Sequence, residues 1–158
     1  MIDQQKSDLK TTQGQCDTHA TFILPIRVYY EDTDAGGVVY HSNYISFFER
    51  ARTEWMRQLG YELDELAHGE QLIFVVRALS CEYLLPAKFN DELFVSAEIL
   101  ELGKTSIQFE QKIMRASKQN TGCEVLTKGI VTVVAVDAKK FKPKRLPKNI
   151  MESIKSVI

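Results

Sequence analysis

The chain has 158 residues, of which 44% are hydrophobic and 26% charged, and its formal net charge is −1. This composition is that of one ordinary globular domain, which at this length buries enough surface to fold without a metal or a disulfide. The near-zero net charge argues against nucleic acid as a partner, because proteins that bind phosphate backbones carry a strong basic excess.

The amino-terminal region is not expected to be a signal peptide. Residues 1–20 are polar and aperiodic, and predict a disordered tail ahead of one domain over residues 21–158. They lack the apolar core of a signal peptide, and no later run approaches the roughly 20 apolar residues of a membrane span. The cysteines, Cys16, Cys81 and Cys123, are odd in number and unpaired in spacing, which favours reduced thiols. We therefore predict a cytoplasmic protein.

A strand and a long helix are predicted first along the chain. Residues 22–31 alternate as a half-buried strand does, and the turn formers of residues 32–37 end it. A helix follows, because apolar residues recur at three- and four-residue steps: Tyr44, Phe47, Phe48, Ala51, Trp55 and Leu59. Ser42 or Asn43 is expected to cap its start, and Gly60 is expected just beyond its end.

Four more strands follow the helix, at residues 72–79, 93–100, 105–115 and 124–136. Short turns at residues 103–104 and 119–122 imply antiparallel pairing. The run 129–136 is apolar almost without alternation, so we expect cover on both its faces, a second subunit being one candidate. Residues 149–157 predict a short terminal helix. The predicted fold class is α+β, with an antiparallel sheet wrapped around one long helix.

The acidic turn before the long helix is the segment most suited to chemistry. A helix start offers unpaired backbone N–H groups and the positive end of the helix dipole, which suit the oxyanion formed when a thioester carbonyl is attacked. Asp34 lies just upstream, and aspartates are ordinarily ionised at neutral pH. Asp34 can therefore attack the carbonyl or act as a base on water, and both routes stay open. The competing interpretation is structural, since Asp is common in such turns.

The segment YYEDTDAGGVVYHSNYISFFERARTEW (residues 29–55) closely resembles the signature of the 4-hydroxybenzoyl-CoA thioesterase family, above all the branch associated with the Tol-Pal cell-envelope system. Weaker similarity continues through residues 81–93 and 142–147. The resemblance implies the hot-dog fold, metal-free hydrolysis of acyl-CoA, and active sites at the interface of a homodimer, with dimers often paired into a homotetramer. It places the catalytic carboxylate on Asp34, and His41 beside the thioester, acting through its backbone N–H or its imidazole.

Five lysines are candidates for binding the phosphates of CoA: Lys104, Lys139, Lys140, Lys142 and Lys144. The competing interpretation is a solvated edge that protects the last strand from aggregation. Since CoA is part of the substrate, no separate cofactor is predicted. No metal site is predicted either, because His19 and His68 have no partner at ligand spacing.

The predicted function is hydrolysis of acyl-CoA to a free acid and CoA, with acyl carrier protein as another carrier of the acyl group. The alternatives are a hydratase or dehydratase of the same fold, acting on acyl-CoA or acyl carrier protein, and a non-catalytic acyl-binding subunit. Glu49 and Glu54 are weaker candidates for the carboxylate, because their spacing favours ion pairs with Arg52 and Arg57 on the polar face of the helix.

Overall fold

The structure is a computed structural model that describes residue 16 and residues 22–119 and 122–158. The elements are β1 Phe22–Arg27, α1 His41–Gln58, α2 Leu63–Gly69, β2 Leu72–Tyr83, β3 Glu92–Leu102, β4 Ser106–Ala116, β5 Cys123–Asp137 and α3 Lys148–Lys155. The predicted amino-terminal tail lies outside the described residues, apart from Cys16. The first strand ends at Arg27, before residue 31, because Tyr30–Asp32 form a 3-10 turn.

The five strands form one antiparallel sheet in the order β1-β3-β4-β5-β2. The long helix α1 packs its aromatic face against this sheet, where Phe47 and Phe48 are fully buried among strand residues such as Val95 and Ile113. The α+β class is therefore confirmed, with a sheet around one long helix. β5 is buried at every position from 131 to 136 within the single chain, so the expected cover of both faces holds there without a second subunit. It does not hold at Ile130, which is 41% exposed.

Gly129 creates the space that Phe48 fills on the sheet. A Cβ at residue 129 would lie 2.5 Å from Cε2 of Phe48, closer than real side chains pack. We therefore expect Gly129→Ala to lower the free energy of unfolding by about 1–3 kcal/mol, the usual cost of overpacking a core. Urea denaturation measures this change. Gly69→Ala is the control, because a Cβ there meets nothing within 4 Å; equal midpoints for the two variants would contradict the packing argument.

The ends of α1 differ in how well the sequence predicts them. Gly60 lies just past the C-cap with a φ of 95°, the left-handed conformation that glycine favours, so this prediction is confirmed. The predicted N-caps Ser42 and Asn43 are wrong, since the helix begins at His41 with Tyr40 as its N-cap. The Asn43 amide instead donates to the backbone oxygen of Asp32 at 2.9 Å, which ties the helix to the preceding turn.

The prediction of three reduced thiols is wrong. Cys16 and Cys123 form a disulfide across 107 residues of sequence, with a Cα–Cα distance of 5.2 Å, and only Cys81 is a free thiol among the described cysteines. Spacing along the sequence does not report such a pair, because the fold brings the two residues together. The cytoplasmic location stays a prediction, and the cysteines no longer support it. Among the described residues, no helix is long and apolar enough to span a membrane.

The predicted polar face of α1 needs a correction at Arg52. Its side chain is only 9% exposed, and Nη1 donates to Oε1 of Gln111 on β4 at 2.8 Å. Burial lowers the pKa of Arg52. Arg52 therefore belongs to the helix–sheet interface, whereas the predicted ion pair between Glu54 and Arg57 is confirmed on the surface.

Candidate active site

The loop of residues 32–40, here called the acidic loop, folds back on itself immediately before α1. Its two arms are joined by a bridge between Thr33 and Val39, and the Asp34 N–H donates to the Val38 oxygen at 2.9 Å. The Tyr40 N–H donates to the Asp32 oxygen, also at 2.9 Å. Because Tyr40 is the N-cap, these bonds hold the Asp34 turn next to the start of the helix.

The Asp34 carboxylate is held by its own turn and lies open to solvent in the single chain. Its Oδ1 accepts the Gly36 N–H at 2.8 Å, and the Gly37 N–H donates to the Asp34 backbone oxygen at 3.0 Å. Gly37 has a φ of 75°, which favours glycine at this position of the turn. The bond from the Gly36 N–H stabilises the turn and also fixes the orientation of the Asp34 carboxylate.

The start of α1 retains donors for a ligand. No side chain of the described residues caps the helix there, and its first turn contains no acidic residue. The first-turn N–H groups and the helix dipole therefore favour an anionic oxygen at this point. His41 is exposed, and its ring lies 4.5 Å from the Tyr40 ring, centroid to centroid. The structure thus brings the two predicted catalytic residues, Asp34 and His41, to one end of the molecule.

Tyr83 is a residue of this site that the sequence analysis missed. Its hydroxyl donates to the backbone oxygen of His41 at 3.1 Å, and its ring lies edge-on to Tyr44 at 5.5 Å. Burial, together with a hydrogen bond to Cys81, raises the pKa of Tyr83 to about 12, so the hydroxyl stays protonated and can donate. The signal that could have found it is its place in residues 81–93, where the family resemblance continues.

Ala87 fastens the acidic loop and α1 to the same segment of chain. Its N–H donates to the Tyr44 hydroxyl at 3.0 Å, and its carbonyl accepts the Val39 N–H at 2.9 Å. Val38 also bridges to Lys88. The loop, the helix start and the segment after β2 therefore form one bonded unit, which fixes the position of Asp34.

The predicted CoA-binding lysines lie at the other end of the sheet. Tyr83, beside His41, pairs with Thr127 on β5, whereas Leu72, at the start of β2, pairs with Asp137. Ten residues of β5 separate Thr127 from Asp137, a span of about 33 Å at about 3.3 Å per residue. The helix α1 shows the same separation between Asp34 and the lysines. It begins beside Asp34, and Tyr61, just beyond its other end, contacts α3, the helix that follows the last of these lysines in the chain. Within a single chain, Asp34 and the predicted lysines therefore lie toward opposite ends of the sheet.

Residues 137–144, here called the lysine turn, carry four of the five predicted lysines. Oδ1 of Asp137 accepts the backbone N–H groups of Lys139 and Lys140, each at 2.9 Å, which lowers the pKa of Asp137. Lys142 is exposed, while Nζ of Lys144 donates to the Glu70 oxygen. Lys104 is close by, because its backbone oxygen accepts the Leu146 N–H at 2.9 Å. The structure therefore brings the five lysines together, apart from Asp34.

A cavity of about 250 Å³ opens between α1 and strands β2, β4 and β5. Its wall is mainly apolar, with Phe74, Ile107 and Phe109 among its residues, and Glu49 and Arg52 add polar groups. The cavity is an apolar cleft beside the long helix. It lies toward the start of β2, the same half of the strand that approaches the lysine turn.

Known proteins similar to this chain identify its family. The sequence profile described as Thioesterase superfamily matches residues 36–121, more than half of the chain. Acyl-CoA thioesterase YbgC of Haemophilus influenzae is 46% identical over 129 residues, covering 82% of this chain and 90% of that protein. The chain belongs to the thioesterase superfamily. Membership confirms the predicted enzyme class, a thioester hydrolase, and the predicted family resemblance of the chain.

Solved structures of other thioesterases have the same fold as this chain. A probable thioesterase from Bartonella henselae superposes with a TM-score of 0.72 at 34% identity, covering 79% of this chain and 98% of that one. A 4-hydroxybenzoyl CoA thioesterase mutant bound to its substrate gives a TM-score of 0.77 at 14% identity, covering 83% and 96%, which shows a shared fold alone. The predicted hot-dog fold is confirmed. The profile match begins two residues after Asp34, so the role of Asp34 in this thioesterase stays a prediction.

Proposed function

We propose that this thioesterase hydrolyses acyl-CoA to a free carboxylic acid and CoA, with Asp34 supplying the reactive carboxylate. The observation that carries the proposal is the acidic loop, whose bond from the Tyr40 N–H to the Asp32 oxygen holds the Asp34 turn at the start of α1, where no described side chain caps the helix. A thioester carbonyl placed there meets an anion and a set of backbone donors together. The relative named acyl-CoA thioesterase, at 46% identity, supports the substrate class.

The reaction is an acyl transfer to water. The backbone N–H groups at the start of α1, His41 among them, stabilise the oxyanion as the carbonyl carbon is attacked. Asp34 either attacks that carbon, forming a mixed anhydride that water then cleaves, or takes a proton from the attacking water. The C–S bond breaks and CoA leaves as a thiolate, an easy departure for a thiol with an ordinary pKa of about 8.5. The His41 imidazole is a candidate donor of the proton that the thiolate takes up.

A homodimer would bring the lysine turn of one chain to Asp34 of the other. β2 is an edge strand, and its side chains are open at both halves, with Val76 51% and Tyr83 47% exposed. An open edge of this length is normally paired or covered. If two β2 edges pair antiparallel about a two-fold axis, Tyr83 of one chain approaches Leu72 of the partner chain, where the partner's lysine turn begins. A homotetramer of two such dimers contains the same sites.

This pairing places the cavity beside the partner's Asp34 as well, because Phe74 and Val76 on β2 form part of its wall. The acyl group would then enter the cavity of one chain while its thioester meets the carboxylate of the other. Acyl carrier protein offers the same pantetheine thioester as CoA, and it remains the second carrier of the acyl group in this proposal. We also propose a cytoplasmic location, where both carriers are found.

The volume of the cavity predicts the preferred acyl length. A dry cavity of about 150 Å³ holds a benzene ring, so about 250 Å³ holds about ten carbon atoms. We expect the rate of thiol release, measured over a panel of acyl-CoAs, to increase with acyl length up to about ten carbons. The rate should then decrease for much longer chains. Phe74→Ala enlarges the cavity, and we expect it to move the optimum to longer chains.

Two results of the panel would contradict the proposal. Release that is highest for the longest chains, and unchanged in Phe74→Ala, would exclude the cavity as the acyl site. Binding of acyl-CoA with no thiol release from any of the panel would overturn the hydrolase function and favour a non-catalytic acyl-binding subunit.

A further inference from the structure

The lysine turn exposes an aromatic side chain that the fold does not use. Phe141 is 70% exposed, and its φ of 52° is in the left-handed region, which bulky residues rarely occupy. Two backbone bonds at 2.9 Å hold this conformation, from Phe141 N–H to the Asp137 oxygen and from Asp137 N–H to the Lys142 oxygen. Holding Phe141 exposed in this conformation costs conformational free energy. Backbone strain of this kind persists at ligand sites.

The charges in this turn are mostly positive. Lys139, Lys140 and Lys142 flank Phe141 in the sequence, and all three are exposed. The one carboxylate of the turn, that of Asp137, is already occupied by the N–H groups of Lys139 and Lys140. The turn therefore carries one exposed aromatic ring and three exposed lysines that flank it in the sequence.

We propose that Phe141 stacks on the adenine ring of CoA while the flanking lysines bind its phosphates. The nucleotide end of CoA combines an aromatic base with a 3′-phosphate and a diphosphate, so it matches both features of the turn. Stacking on an aromatic side chain is available to any base, and lysine is a common ligand for phosphate. This inference rests on the proposed function, because acyl-CoA is the substrate assigned there.

The test compares two substrates with the same acyl group, acyl-CoA and acyl-pantetheine, since the second lacks the nucleotide. Phe141→Ala is expected to raise KM for acyl-CoA about tenfold, within the usual range for a lost base stack, with kcat unchanged. KM for acyl-pantetheine is expected to stay at the wild-type value. Phe141→Trp should restore the low KM, and Leu100→Ala, which truncates a half-exposed apolar side chain on β3, should change neither substrate.

Binding of adenosine 3′,5′-bisphosphate, measured by calorimetry, tests the inference without any turnover. The wild-type protein is expected to bind it, and Phe141→Ala to bind it about tenfold more weakly. Equal affinity in the two proteins overturns the inference, and so does an equal rise in KM for both substrates. Phe141-dependent binding to phosphatidylglycerol vesicles with unchanged nucleotide affinity also overturns it, in favour of a lipid surface. Absence of thiol release by the wild type counts against the proposed function alone.

Discussion

Replacing Asp34 by Asn is expected to reduce kcat for acyl-CoA hydrolysis at least about a hundredfold, the usual contribution of a catalytic acid or base. Asn preserves the shape of the side chain, and its oxygen can still accept the Gly36 N–H that Oδ1 of Asp34 accepts now. It supplies no anionic oxygen, so it neither attacks a carbonyl nor takes a proton from water. The acidic loop should therefore remain folded while the chemistry stops.

Steady-state thiol release measures this effect, with urea unfolding to confirm that Asp34→Asn keeps the wild-type stability. Glu31→Gln is the matched control, because Glu31 is an exposed acidic residue three positions away and outside the proposed site. Wild-type turnover in Asp34→Asn would show that the carboxylate is misassigned. Glu49, in the wall of the cavity, would then be the next residue to replace.

Subunit complementation is expected to give the second large effect. One partner carries Asp34→Asn, and the other carries Lys139→Gln, Lys140→Gln and Lys142→Gln. Each protein alone should be a poor enzyme at acyl-CoA concentrations below KM. Unfolding the two together and refolding them is expected to recover about a quarter of wild-type activity. Half of the dimers are then mixed, and each mixed dimer contains one site with both an intact Asp34 and an intact lysine turn.

The geometry behind this expectation is the span of about 33 Å between Thr127, which pairs with Tyr83 beside His41, and Asp137, in the lysine turn. If each site were built from one chain, every mixed dimer would join an intact Asp34 to its own altered lysines, and no activity would return. Mixing the two folded proteins and assaying at once, before their subunits exchange, is the control. Recovery equal to the sum of the separate activities would contradict the shared site.

The features that could be predicted from the sequence are those with a local cause. The apolar residues of α1, such as Phe47, Phe48 and Trp55, recur with the helical period, so both the helix and its buried face follow from pattern. Gly60 follows from the left-handed conformation that ends a helix. Asp34 and His41 come together because they are close in sequence and one loop joins them. The pattern made Asp34 a candidate carboxylate beside a structural alternative, and the family resemblance then favoured Asp34 and His41 as the predicted catalytic residues.

The features that the sequence did not predict depend on contacts between distant segments. The disulfide joins Cys16 to Cys123, and no local pattern reports it. Arg52 has the spacing of a surface residue, yet Gln111 on β4 supplies a buried acceptor for its guanidinium. The distance from the lysine turn to Asp34 depends on the length of β5 and on its register with β2, and neither is visible in the motifs themselves.

The central claim is that the carboxylate at the start of α1 breaks the thioester, and a single-turnover experiment tests it most directly. Asp34→Asn in excess over a medium-chain acyl-CoA binds all of the substrate, so only the chemical step is observed. Equilibrium dialysis, run in parallel on the variant and the wild type, checks that the variant still binds the acyl-CoA. We predict that the bound thioester survives at least about a hundred times longer in the variant than in the wild type. Release of bound CoA at the wild-type rate would contradict the account.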